Sequence, residues 1–180
     1  TVNPALDKST RFKGLVPEQK IRCESPRDDA GGEGINVSKA IARLGGQSFC
    51  VFTSGGPIGT MLEQLVQKES ILFKAIPTQS WTRESFVAVD ENTNAQYRFG
   101  FSGDQITNEE KETIYQSMEE LQPKYLVLSG SLNEGLTTDF YKIIANKVKS
   151  FGTKIIVDTS GEALQKTLET GVYLVKPNVG

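Results

Sequence analysis

Apolar positions along the chain alternate between two periods. Residues 48–54 (SFCVFTS) form a short continuous apolar run, as a buried strand does. Residues 58–69 (IGTMLEQLVQKE) repeat apolar side chains at helical spacing, and 71–76 (ILFKAI) predict a second strand. An acidic-fronted helix is predicted over 107–121, capped by Thr107 or Asn108, and then a strand over 125–131 that ends in a small-residue turn. A helix over 137–152 closed by Gly152, a strand over 154–160, a helix over 161–171 and a strand over 172–178 continue the series. Strand followed by helix, repeated, implies right-handed crossovers and a parallel sheet with helices on both faces.

Two stretches break this rhythm. Residues 8–24 and 80–101 alternate polar and apolar side chains, and the second contains the turn-like ENTNA. Both predict hairpins solvated on one face, and together a small antiparallel sheet projecting from the parallel core.

Residues 29–46, DAGGEGINVSKAIARLGG, place three glycines around one glutamate ahead of an amphipathic helix. A dinucleotide fingerprint needs G-x-G-x-x-G after an apolar strand. Here Val37 occupies the place of the third glycine, and the preceding ESPRDDA is not apolar. A plain turn that caps the helix is one reading. Asn36, one turn into that helix beside exposed amides, favours another, in which the side-chain amide binds ligand hydroxyls.

Composition narrows the chemistry. With 180 residues and 37% hydrophobic content, the chain forms one α/β domain or one domain with a small appendage. Its net charge of −2 gives no basic field for nucleic acid. No apolar run has bilayer length and TVNPALDKST lacks the order of a signal peptide, so the expected location is the cytoplasm. Cys23 and Cys50 have no paired spacing and read as reduced thiols. The absence of histidine leaves carboxylates, lysines, hydroxyls and backbone dipoles to carry any reaction.

NPALD (3–7), GGEGINVSKAIARLGG (31–46), SGSL (129–132), VDTSGEAL (157–164) and KPN (176–178) occur in the order found in ribokinase-like (PfkB-type) carbohydrate kinases, which the chain resembles over nearly its whole length. KIRC (20–23), WTR (81–83) and QYRF (96–99) bring it nearest the branch that phosphorylates sugar phosphates. That branch comprises ribokinase-type 6-phosphofructokinase, tagatose-6-phosphate kinase and 1-phosphofructokinase, and these motifs tilt the likeness toward the first. The resemblance implies a Rossmann-like three-layer α/β/α core (1–7, 25–79 and 102–180) under a β-sheet lid (8–24 and 80–101). It also implies a homodimer clasped through the lids.

The resemblance further assigns roles. Asp7 accepts hydrogen bonds from sugar hydroxyls, Gly31, Gly32 and Gly34 let backbone lie against the sugar, and Asn36 binds its hydroxyls. Glu33 departs from the small residue or asparagine usual there. Arg83 holds the phosphate already on the sugar, a task suited to a planar guanidinium, whereas Arg98 reads as a solvated lid charge. Lys20 and Arg22 reach the partner subunit's site or are surface charges. Ser129 has a sugar-side role or packs tightly. Asp158 lies near metal and phosphates or caps the next helix, and Lys176 and Asn178 approach the phosphates of ATP and the water shell of Mg2+.

The implied reaction is transfer of a phosphoryl group from ATP to a ketohexose phosphate, fructose 6-phosphate giving fructose 1,6-bisphosphate, with tagatose 6-phosphate or fructose 1-phosphate as alternatives. The resemblance also implies a glutamate three positions after Asn178 and a later G-A-G-D motif with an anion hole and catalytic aspartate, so these are expected beyond Gly180. On that expectation residues 1–180 alone do not turn over. A different class of reading is an inactive truncated module that binds phosphosugar or dimerises.

Overall fold

A computed structural model describes residues 1–103 and 105–176. Its elements run β1 (Ala5–Phe12), β2 (Arg27–Gly31), α1 (Glu33–Arg43), β3 (Phe49–Ser54), α2 (Gly56–Lys68), β4 (Leu72–Pro77), β5 (Arg83–Asp90), β6 (Gln96–Gly100), α3 (Asn108–Leu121), β7 (Tyr125–Ser129), α4 (Phe140–Lys149), β8 (Lys154–Asp158), α5 (Gly161–Leu168) and β9 (Leu174–Val175).

The apolar runs become two parallel ladders, β3–β4 and β7–β8–β9. Helices pack onto these strands because each carries one apolar stripe. Ile35 of α1 and Leu62 and Val66 of α2 are buried with Phe52 of β3, while Phe140 and Ile144 of α4 are buried with Ile155 and Val157 of β8. Helix α3 starts where its sequence says. Thr107 accepts from the Glu110 N–H at 3.2 Å and Glu110 accepts from the Thr107 N–H at 2.8 Å, a reciprocal capping box. Residues 2–3 run beside β3, with the Thr53 hydroxyl donating to the Val2 carbonyl at 2.8 Å. A cavity of about 610 Å³ lies between β3 and β7, walled by apolar residues of α1, α3 and α4. Its lining identifies a gap within the core rather than a site for a polar ligand.

The second sheet has the order β2-β1-β5-β6. Two antiparallel pairs, β1–β2 and β5–β6, meet along a parallel pairing of β1 with β5. This sheet takes in residues outside 8–24 and 80–101: β1 begins at Ala5, and its antiparallel neighbour is Arg27–Gly31, not 20–24, which contributes an isolated Phe12–Cys23 bridge. The sequence RDDAG forms a strand without an apolar run because it is an edge whose charges are met by neighbours. Lys8 lies 3.5 Å from Asp28, and Arg27 2.9 Å from Asp29.

Candidate functional site

Strand register collects the first group of polar residues. Asp7 of β1 is opposite Asp29 of β2 and opposite Ser85 of β5, and Ala5 is opposite Arg83 and Gly31. Residues two apart along a strand share a face, so Asp7, Asp29, Gly31, Arg83 and Ser85 all lie on one face of the second sheet.

Gly31 is required there by close approach. A Cβ on it would fall 2.3 Å from Oδ2 of Asp7. The Asp7 carboxyl is half-buried, and this burial pushes its pKa above the usual carboxylate value. A hydrogen bond from Ser85 and the charges of Arg83 and Lys39 act in the opposite direction. Next comes Gly32 with φ of 114°, a backbone region closed to ordinary side chains, and it caps α1 without a side-chain acceptor. The first amides of α1 are therefore left at the same edge, with Asn36 exposed one turn further on.

Arg83 is held at the start of β5. Its Nε donates to Oδ1 of Asn3 at 2.9 Å, and its terminal nitrogens to the Phe101 carbonyl at 3.2 Å and the Asn3 carbonyl at 3.4 Å. Burial lowers its pKa and the Asp7 charge raises it, which places the two charges within electrostatic reach.

Ser129 ends β7 and is fully buried, with no hydrogen-bond partner for its Oγ among the described residues. It packs against α1, since a Cβ on Gly34 would fall 3.1 Å from that oxygen. Beside it the Tyr141 hydroxyl lies 3.0 Å from the Ser129 carbonyl and 3.1 Å from that of Gly130, fixing the strand end. At the end of β8, Asp158 accepts from Lys176 at 3.0 and 3.1 Å. Glu33 faces the same strand ends: burial and the Asp158 charge raise its pKa, while the Gly130 N–H lowers it.

The structure thus brings Asp7, Gly31, Gly32, Gly34, Asn36, Arg83 and Ser129 to one end of the fold, with the Asp158–Lys176 pair at neighbouring strand ends. Lys20 and Arg22 do not join them. They are exposed on the loop after β1, at the far end of that strand from Asp7, where with Arg11 and Lys13 they line a cavity of about 540 Å³. Asn178 lies outside the described residues. Sequence reasoning missed Asn3, Ser85 and Lys39, whose parts depend on pairings across the fold. Arg98, opposite Val87, shares the Asp7 face while remaining exposed, and strand alternation was the signal for that placement.

Among the described residues no group of three or more His, Cys, Asp or Glu side chains could hold a metal ion, and Asp158 is already paired with Lys176. These residues do not make a magnesium site by themselves. The exposed Lys176 ammonium does suit a phosphate.

The fold is shared with known proteins. The model of the pfkB family carbohydrate kinases matches residues 2–179. ATP-dependent 6-phosphofructokinase isozyme 2 of Mycobacterium tuberculosis is 39% identical over 99% of this chain and 53% of its own length. The crystal structure of phosphofructokinase-2 from Escherichia coli in complex with fructose-6-phosphate superposes with a TM-score of 0.94 at 35% identity, covering 98% of this chain and 59% of that one. The tetrameric inhibited form of the same enzyme superposes at 0.93 over 98% and 59%. The chain therefore spans just over half the length of the relatives it matches. A match from residue 2 to residue 179 makes it a member of the pfkB family of carbohydrate kinases.

Proposed function

We propose that this chain forms the acceptor side of an ATP-dependent kinase that phosphorylates fructose 6-phosphate. The observation that carries the reading is the Asp7–Gly31 contact. A carboxylate fitted over a glycine, next to an arginine and the first amides of a helix, offers acceptors for hydroxyls and donors for an anion on one face of the sheet.

In this reading Asp7 and Asn36 bind sugar hydroxyls, and backbone at Gly31, Gly32 and Gly34 lies against the ring. Arg83 holds the phosphate the sugar already carries, and Ser129 gives its buried hydroxyl a partner when sugar is bound. ATP supplies the phosphoryl group, and Lys176 and Asn178 meet its phosphates. Lys176, the exposed member of its pair with Asp158, turns to the phosphates to do so. Residues 8–24 and 80–101 belong to a lid over the sugar, and copies join through it as a homodimer, with Lys20 and Arg22 serving the neighbouring site. A phosphorylated hexose and two unpaired cysteines fit the reducing cytoplasm.

Titration calorimetry with fructose 6-phosphate, without nucleotide, tests the acceptor assignment. Arg83→Ala is expected to weaken binding by roughly tenfold or more, as loss of a charged hydrogen-bond donor does. Unchanged affinity would remove Arg83 from the site.

A further inference from the structure

We propose that Asn3 is a positioning residue for phosphosugar binding, acting by holding the Arg83 guanidinium in its binding pose. The inference rests on the acceptor-site reading above and extends it to a residue that touches no ligand.

A guanidinium has five N–H donors in one rigid plane. Asn3 takes two of them, Nε through its side-chain Oδ1 at 2.9 Å and one terminal nitrogen through its backbone carbonyl at 3.4 Å. Two acceptors from one residue fix both the position and the tilt of the plane. The Phe101 carbonyl takes a third N–H at 3.2 Å, which leaves two on the terminal nitrogens for an anion.

Asn3 is itself fixed. Its Nδ2 donates to Oγ of Ser131 at 3.0 Å, and reversing the amide would turn its NH2 toward the Nε–H of Arg83 and lose that bond. The residue is 8% exposed. Its niche, shared with Thr82 and Arg83, has about 10 Å³ of free volume, no more than one water occupies. A sugar phosphate cannot enter it, so Asn3 reaches the ligand only through Arg83. The path Ser131–Asn3–Arg83–Phe101 also crosses from the β7 end to the segment leaving β6, tying the arginine to the core on one side and to the lid sheet on the other. An arginine so held has already given up the side-chain freedom that a free one would lose on binding.

The test is a double-mutant cycle on fructose 6-phosphate affinity by calorimetry, using the full chain with Asn3→Leu, Arg83→Ala and both together. The expected result is a loss of about tenfold in Asn3→Leu, comparable to a hydrogen bond to a charged group, and no further loss when it is added to Arg83→Ala. Asn3→Asp, which keeps the Oδ acceptor, should bind within about threefold of the parent; leucine keeps similar bulk without the acceptor, so a loss in leucine with recovery in aspartate is not a packing effect. If the leucine variant does not fold, Asn3→Ser carries the same cycle, because its hydroxyl is too short to reach Nε.

Binding that weakens in Arg83→Ala but not in Asn3→Leu would overturn the role of Asn3 and leave the acceptor site standing. A loss in Asn3→Leu that persists undiminished in the Arg83→Ala background would also overturn it, since Asn3 would then act independently of Arg83. Full affinity in Arg83→Ala would bring down the acceptor-site assignment of Arg83 and this inference with it.

Discussion

The carboxylate of Asp7 occupies the space that a side chain on Gly31 would need, with Oδ2 2.3 Å from the position of that Cβ. Neither can be enlarged without moving the other. Gly31→Ala should therefore displace Asp7 and cost about 1–3 kcal/mol of stability, as overpacking does in other well-filled sites. Fructose 6-phosphate affinity should fall at the same time. Thermal unfolding and calorimetry on the one variant check both, and an unshifted midpoint would show that the contact is easily relieved.

Asp7 also sets a dependence on pH. Its folded pKa lies above the unfolded value because burial outweighs Ser85, Arg83 and Lys39. A carboxyl shifted upward favours the folded state while protonated, so its contribution is fully present below the ordinary aspartate pKa of 3.8 and is lost as pH rises through the folded value. At neutral pH the ionised group is a net burden on folding. Asp7→Asn should raise the unfolding midpoint at pH 7, and the gain should shrink toward zero near pH 3.8. Ligand affinity should move the opposite way, since an amide accepts sugar hydroxyls less strongly. A variant less stable at pH 7 would mean that the Arg83 and Lys39 charges dominate.

The Glu110 carboxylate serves two segments. It closes the α3 capping box and accepts from the Gln79 N–H at 2.7 Å, anchoring the loop that leads to Arg83. Thr107→Ala removes only the cap and should cost about 1 kcal/mol. Glu110→Ala leaves two partly buried N–H groups without an acceptor and should cost about 2–3 kcal/mol. Denaturant unfolding of the pair measures the difference, and equal losses would show that the Gln79 bond contributes nothing.

These relationships differ in how far the sequence discloses them. Helix α3 is legible because Thr107 and Glu110 are three residues apart and the capping box is local. The core strands are legible because each is a short, nearly continuous apolar run. Strand β2 is not, because an edge strand whose charges meet Lys8 and each other leaves no period to read. The residues proposed for the acceptor site were named by motif, but the contacts that bring them together were not. Asp7 meets Ser85 through a pairing of strands 78 positions apart, and Arg83 meets Asn3 across 80 positions. No local pattern carries such registers.

The second sheet, the proposed lid, ends in a strand that invites a partner. β6 has β5 on one side only, and its residues are exposed apart from Tyr97. Phe99 is 51% exposed and Phe101 just after it 59%. An open strand edge beside exposed aromatic rings is costly for an isolated copy, and a second lid would cover both. Within one copy the half-exposed Phe99 ring meets its cross-strand neighbour Phe86, with ring centroids 6.0 Å apart, and a charge at 99 is expected to disturb little of the fold. Phe99→Asp should accordingly keep the parent's far-ultraviolet circular dichroism while moving the dimer toward monomer, by about tenfold or more in the dissociation constant if the ring is central to the contact. Sedimentation velocity across micromolar concentrations reads this directly. A parent that sediments only as monomer would remove the lid clasp, and a variant that dimerises as well as the parent would place the contact elsewhere on the molecule.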